Sequence, residues 1–279
     1  MIMDRCDGRI EIILENHNLR NETIIKKIYH EGVFKVSPTI HLDNEKIPCY
    51  FLMHMGGGYL EGEHCYNDIH LKENTRSIIT TQTPTIIYKC MNNIAAKQFS
   101  KIRLEKNSVL EYMMDNTILF KDANFEQETD IYLDSTSTLI LAEGITAGWS
   151  SDGKPFQYKL AKMKNRIYLD NELILLDKLL LSPEKNNLFS LGHFEDYLNY
   201  GTAIIINEKI DLDFIENMRN SLQEYDVNVK YGISKLEIPG VVIRALGNLT
   251  QDIQKIIYGA TNYARKELLG SDKLDLRKQ

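Results

Sequence analysis

From about residue 9 to residue 134 the apolar side chains recur at every second position, as in Phe99-Ser100-Lys101-Ile102-Arg103-Leu104 and Asp130-Ile131-Tyr132-Leu133-Asp134. That period belongs to strands with one buried face. The polar breakers between such runs, residues 105–108 and 134–137 among them, are far shorter than the connection of about a dozen residues that a crossover helix needs. Neighbouring strands are therefore joined tightly, in an antiparallel or a coiled sheet. The run Arg76-Ser77-Ile78-Ile79-Thr80-Thr81-Gln82 is rich in β-branched residues, and Thr85-Ile86-Ile87-Tyr88 repeats that character after Pro84 interrupts the ladder. Two strands meeting at a bend are expected there.

Residues 166–170 and 173–181 supply further apolar runs; the second fits strand or short helix by period alone, and strand is the reading taken. Helical spacing appears only near the C-terminus. Leu212, Ile215, Met218 and Leu222 share one face behind Asp211, an acidic start. A second helix runs from Thr250, the expected N-cap, through Ile253, Ile257, Ala260, Ala264 and Leu268 to Gly270. Between the helices, residues 227–235 and 241–246 read as a strand pair. No linker rich in Pro, Gly or Ser divides the chain, so residues 1–279 read as one mainly β domain. It comprises a β-rich part over 1–207, a mixed α-β-β-α portion over 208–270, and a charged tail over 271–279. The tail lacks an apolar stripe and is either frayed or ordered only against a partner.

With 43% hydrophobic and 26% charged residues over 279 positions, the chain can bury a substantial core. A formal net charge of -6 gives little general attraction for nucleic acid or anionic lipid. Residues 1–9 carry two acids before any apolar run, and no stretch approaches the roughly 18 apolar residues of a membrane span. Neither export nor insertion is indicated, and a cytoplasmic location is expected. Cys6, Cys49, Cys65 and Cys90 are scattered without a Cys-x-x-Cys pair, which suits reduced thiols.

The most distinctive local feature is Met55-Gly56-Gly57-Gly58-Tyr59-Leu60-Glu61-Gly62-Glu63. Gly57 and Gly62 have the separation of a phosphate-cradling loop, but Glu63 and His64 follow where that loop needs Lys and Ser/Thr, and Glu61 precedes. Carboxylates would sit where phosphate should, so the cluster reads as a tight turn between strands. Followed by Thr80-Thr81-Gln82 and then Tyr88-Lys89, it resembles the signature of the UreD/UreH family of urease accessory proteins. Further likeness lies in Leu110-Glu111-Tyr112, in Asp115-Asn116-Thr117-Ile118, and in Phe120, Ala123 and Gln127. Gly148, Gly153 and Phe156 continue the pattern, as does Val242-Ile243-Arg244-Ala245-Leu246-Gly247. The resemblance spans roughly residues 56–265. It departs from the family at Glu63, His64, Ile86 and Asn116, where Asp, Arg, Lys and Pro are usual.

The resemblance implies a mainly β fold in which strands coil into stacked, β-helical or solenoid-like sheets, with two C-terminal helices. It also implies a non-catalytic cytosolic factor that binds urease structural subunits, recruits UreF and through it the GTPase UreG, and serves nickel insertion. No cofactor would be bound tightly; nickel would be in transit. A water-filled passage lined by carboxylates and carbonyls would leave no sequence motif.

Catalysis and metal binding can also be weighed on the residues alone. No Gly-x-Ser-x-Gly elbow surrounds any serine or cysteine. The acidic pairs Glu61/Glu63, Glu126/Glu128 and Asp130/Asp134 would each share a strand face; solvated faces explain them, and a β-rich hydrolase acting on a carbohydrate is the competing reading. His64 and His70 would share a face with Cys65 on the other. Six residues of strand separate the histidines by about 20 Å, too far to ligate one ion.

Overall fold

The structure is a computed structural model that describes residues 6–17, 19–42 and 45–278. The chain start through Arg5 and the tail residue Gln279, both covered by the readings above, lie outside the described residues. The strands are β1 (Gly8–His17), β2 (Glu22–Gly32), β3 (Phe34–Val36), β4 (Ile40–His41), β5 (Pro48–His54), β6 (His64–Leu71), β7 (Arg76–Thr81), β8 (Thr85–Ile87) and β9 (Ala96–Leu104). They continue with β10 (Val109–Leu119), β11 (Asn124–Leu133), β12 (Thr138–Thr146), β13 (Leu160–Leu169), β14 (Glu172–Leu181) and β15 (Asn199–Ile206). Helix α1 (Leu212–Gln223), β16 (Val229–Lys235), β17 (Gly240–Gly247) and α2 (Thr250–Leu269) complete the order.

The central strands form a solenoid. From β5 to β13 the chain passes back and forth between a seven-stranded and a ten-stranded sheet, with β6, β9, β11 and β13 parallel in the first and β5, β7, β10 and β12 parallel in the second. Short turns suffice because successive strands belong to different layers, which is how tight connections coexist with parallel pairing. Antiparallel partners finish the sheets: β2 beyond β1, β14 beyond β13, and β15, β17 and β16 beyond β12. The 173–181 run is thus a strand, and the bend expected around Pro84 separates β7 from β8, both of which pair with β10.

Two apolar layers follow from this arrangement. Inward residues such as Ile12, Ile69, Ile102, Ile131 and Ile167 fill the space between the sheets. The outer face of the ten-stranded sheet is covered by α1 and α2, where Ile140, Ile205 and Ile243 meet Met218, Leu222, Ile256 and Ala260. Each fully buried aliphatic side chain of this kind stabilises the fold by roughly 1.5–3 kcal/mol before entropy is counted. Asp211 caps α1 by accepting from the Phe214 amide at 2.8 Å. At α2 the cap differs from expectation: Leu249 is the N-cap and Thr250 is the first helical residue, its hydroxyl turned to Asn199 Oδ1 at 3.3 Å. Gly270 ends α2 in the left-handed conformation. Residues 271–278 lie against the body of the chain, with Leu274 and Leu276 buried. No helix among the described residues is long and apolar enough to cross a membrane.

Candidate functional site

Inward positions of the solenoid are apolar except at two adjacent levels. On the seven-stranded sheet, Asn67, Ser100, Thr129 and Asn165 are register partners across β6, β9, β11 and β13, and Gln98 pairs with Gln127 one level below. The ten-stranded sheet contributes Glu143 on β12, in the inward parity of Leu139, Leu141 and Ile145. Buried polar groups are costly unless bonded, so their partners matter. Tyr59 donates its hydroxyl to Gln98 Oε1 at 2.6 Å, and Asn67 donates to Ser100 Oγ at 3.1 Å. Gln127 Nε2 and Asn165 Nδ2 both donate to the Glu143 carboxylate, at 2.9 and 2.5 Å. No cation faces Glu143 in these contacts, and burial pushes its carboxyl above the ordinary range against the pull of the two amides. Asn67 Oδ1 and Asn165 Oδ1 have no hydrogen-bond partner among the described residues, so the row keeps unspent acceptors.

A cavity of about 60 Å³ opens along this row, lined by Tyr59, Asn67, Gln98, Tyr112, Gln127 and Glu143, enough for a few water-sized species. A second, smaller one continues beyond Glu143 past Asn165 and Tyr200 to Asp177. Glu143 lines both and stands between them. Asp177 carries the exposed Arg244 guanidinium at 2.6 Å.

The first cavity has a port through the ten-stranded sheet. Pairing of β7 with β10 ends at Thr80 and Met113 and resumes, through β8, at Thr85 and Thr117. At the same level β10 bulges, with Met114 and Asp115 opposite the single residue Glu143 of β12. The bulge and the bend together place Asp115 in the gap. Its carboxylate accepts from Thr81 Oγ1 at 3.0 Å, and Lys278 Nζ donates to Asp115 Oδ1 at 2.9 Å and to Thr80 Oγ1 at 2.7 Å.

The glycine cluster forms the turn between β5 and β6 at the rim of this cavity. A side chain at Gly58 would meet the Ile86 carbonyl at 2.7 Å, and Gly62 has φ of 71°. Gly57 and the buried Gly58 line the cavity and Gly56 does not; Gly56 and Gly57 are both exposed. Glu63 is buried beneath them, accepting from the Leu60 amide at 2.9 Å and meeting His54 Nε2 at 3.2 Å. Glu61 does not share a strand face with it: both lie in the turn, and Glu61 accepts from the Met91, Asn92 and Ile94 amides.

The remaining motif residues serve other places. Glu111 is buried in an ion-pair lock with Arg265 of α2 and with Arg76, 2.8 Å away. Gln82 is exposed, and its main-chain N–H donates to the Leu52 carbonyl. Tyr88 packs edge-on against Phe120, and Phe156 against Phe189 and Phe194, closing the loop end of the solenoid. Gly148 and Gly153 turn the chain there, and Arg244 lies apart at Asp177. Glu126, Glu128 and Asp130 lie on the outer face of β11 against Lys162, Lys164 and Arg166. Asp134 is past the end of β11 and caps the turn through Thr136. His64 and His70 share the outer face of β6 with Cys65 inward, as the alternation requires. Among the described residues no three His, Cys, Asp or Glu side chains converge as metal ligands.

Glu143, Asn165, Asn67, Gln98 and Lys278 escaped the sequence reading. The available signal was a polar residue at the inward parity of an otherwise apolar strand, as Asn67 is between Cys65 and Ile69. Stacking those residues into one row needs the register.

The UreD urease accessory protein family model matches residues 7–279. A urease accessory protein UreD from Streptococcus thermophilus (strain CNRZ 1066) is 39% identical over 272 residues, covering 98% of this chain and 96% of the relative. Proteins of the same name from Bacillus cereus (34% identical, covering 93% and 94%) and from Ureaplasma urealyticum (35%, covering 95% and 92%) also match. A match over nearly the whole length, reaching both the coiled sheets and the two helices, places this chain in the UreD family of urease accessory proteins.

Proposed function

We propose that this chain is a non-catalytic assembly factor that binds urease apoprotein, engages UreF and through it UreG, and gives nickel a sheltered route during insertion. The observation that supports the transit role is the buried polar row centred on Glu143. A transfer protein must hold its cargo loosely at each step, since tight chelation by three or four ligands would oppose release. Single carboxylates at Asp115, Glu143 and Asp177, separated by amides and hydroxyls, offer that kind of graded, weak coordination.

For the binding role, large apolar side chains stand exposed along both edge strands of the seven-stranded sheet: Ile24, Ile25 and Tyr29 on β2, and Leu173, Leu176 and Leu180 on β14. Exposed apolar surface of this kind fits a protein that works in complexes. The outer-face acids Glu126, Glu128 and Asp130 are engaged with lysine and arginine and lie outside the cavities, so they do not supply the cleft pair that the carbohydrate-hydrolase reading calls for.

The test is co-expression of the tagged chain with urease structural subunits, with and without UreF, followed by pull-down and nickel-dependent urease assay. Complex formation together with loss of activation when the chain is omitted is the expected result. Absence of both would overturn the proposal. Glu143→Leu should leave the pull-down intact and lower activation.

A further inference from the structure

The port at Asp115 is covered from outside by residues 271–278, an irregular strap crossing the groove beside α2. Both ends are tied by side chains. At its start Ser271 Oγ and the Asp272 amide donate to Glu45 at 2.7 and 3.0 Å, and Arg265 donates to the Asp272 carbonyl at 2.9 Å. The Leu274 amide donates to Asn262 Oδ1 of α2 at 2.8 Å. At the far end Lys278 makes the contacts to Asp115 and Thr80 described above. Past Ser271 no main-chain hydrogen bond joins the strap to another main-chain group among the described residues. Its hold on the body therefore rests on side chains: the Glu45, Arg265 and Asn262 ties at its start, the buried Leu274 and Leu276, the Arg277 guanidinium donating to the Leu42 carbonyl at 3.3 Å, and the Lys278 ammonium; its far end can lift without breaking a sheet or helix.

Among the described residues Asp115 is the only carboxylate that lines both the interior cavity and the groove under the strap. Its neighbours at the port are the hydroxyls of Thr80 and Thr81, so the group of oxygens facing Lys278 would equally suit a small divalent cation. We propose that the strap is a displaceable cover of this port, with the Lys278 ammonium occupying the place of a divalent cation on Asp115, so that cation binding at Asp115 and closure of the strap are mutually exclusive. The inference rests on the transit reading above and adds to it a port and an internal competitor. Two positive charges cannot share one carboxylate in a site this enclosed, because their repulsion is weakly screened there. A partner that lifts the strap would open the port, and a cation bound at Asp115 would hold the strap away.

The experiment is a calorimetric titration of the full chain with Ni²⁺, comparing wild type with Lys278→Ala, Lys278→Arg and the double variant Asp115→Asn/Lys278→Ala. Removing the competitor should tighten Ni²⁺ binding about tenfold or more, in proportion to the time the closed state occupies the site. Lys278→Arg should stay near wild type, and the double variant should lose the gain. Equal affinity of wild type and Lys278→Ala, or a gain that survives in the double variant, would overturn the proposal. Should Lys278→Ala fail to fold, amide hydrogen exchange of the wild type decides: added Ni²⁺ should speed exchange over residues 273–278 and leave α2 unchanged, and no change in the strap counts against it. Because the titration uses this chain by itself, its failure is distinct from a failure to bind urease or activate it.

Discussion

Glu111→Leu tests the joint between the solenoid and its C-terminal helix. Glu111 is 1% exposed and Arg265 is 0% exposed; the carboxylate also accepts from Arg76 at 2.8 Å. Removing it leaves the Arg265 guanidinium buried without its carboxylate partner on β10, while the Asp272 carbonyl at 2.9 Å and Glu45 at 3.8 Å stay beside it. Breaking a buried pair from one side costs about 3–5 kcal/mol, most of it the desolvation of the charge that stays buried. Arg76 adds less, since it is part-exposed and keeps Glu45 at 3.2 Å. Against a typical total stability of about 5–15 kcal/mol this is a large fraction. At about 2 °C per kcal/mol for a chain of this size, the melting temperature should fall by roughly 6–10 °C. Urea unfolding followed by circular dichroism gives the number directly, provided the m-value is unchanged. Glu111→Leu/Arg265→Met removes both charges and should recover most of the loss, to within about 1–2 kcal/mol of wild type. A cost below about 1 kcal/mol for Glu111→Leu, or a double variant as unstable as the sum of the singles, would refute the reasoning.

Other outcomes follow from the same physics. The raised carboxyl of Glu143 binds its proton more tightly folded than unfolded, so its contribution is complete below the ordinary glutamate range and is lost as pH rises through the folded value. Glu143→Gln should therefore match wild type in acid and exceed it in stability toward neutral pH, with Asn165 turning its unpartnered Oδ1 to the new amide; pH-resolved urea melts showing the opposite slope would refute this. Gly58→Ala should cost about 1–3 kcal/mol, because its methyl group meets the Ile86 carbonyl and Cβ, and thermal melts showing no loss would mean that the turn yields freely.

Alternation made the strands legible, and short breakers made their coiling legible, since a parallel pair within one layer would have needed long crossovers. The Leu212, Ile215, Met218 and Leu222 stripe marked α1 because a helix covering a sheet buries one face only. The glycine cluster was readable as a turn for the same local reasons. The site was not. Asp115 and Lys278 are 163 residues apart, and Glu143 meets partners 16 and 22 residues away, through register and a bulge that no local pattern encodes. The tail misled on composition: only Leu274 and Leu276 are apolar and buried between charged neighbours, too short a pattern for a stripe, yet enough when α2 supplies the facing surface.

The spacing of contacts along the chain has a bearing on how the molecule assembles. Cross-coil pairs such as Lys162 with Glu126 lie 36 residues apart, so each coil needs only its predecessor and the solenoid can zip up coil by coil as it is synthesised. The Arg265–Glu111 contact spans 154 residues. Closing so long a loop is entropically slower than adding a coil, which separates an early, self-templating inner core from a late-sealed outer one. Until α2 has been made, the outer face of the ten-stranded sheet stays apolar and uncovered, and that interval is when the chain is most exposed to aggregation.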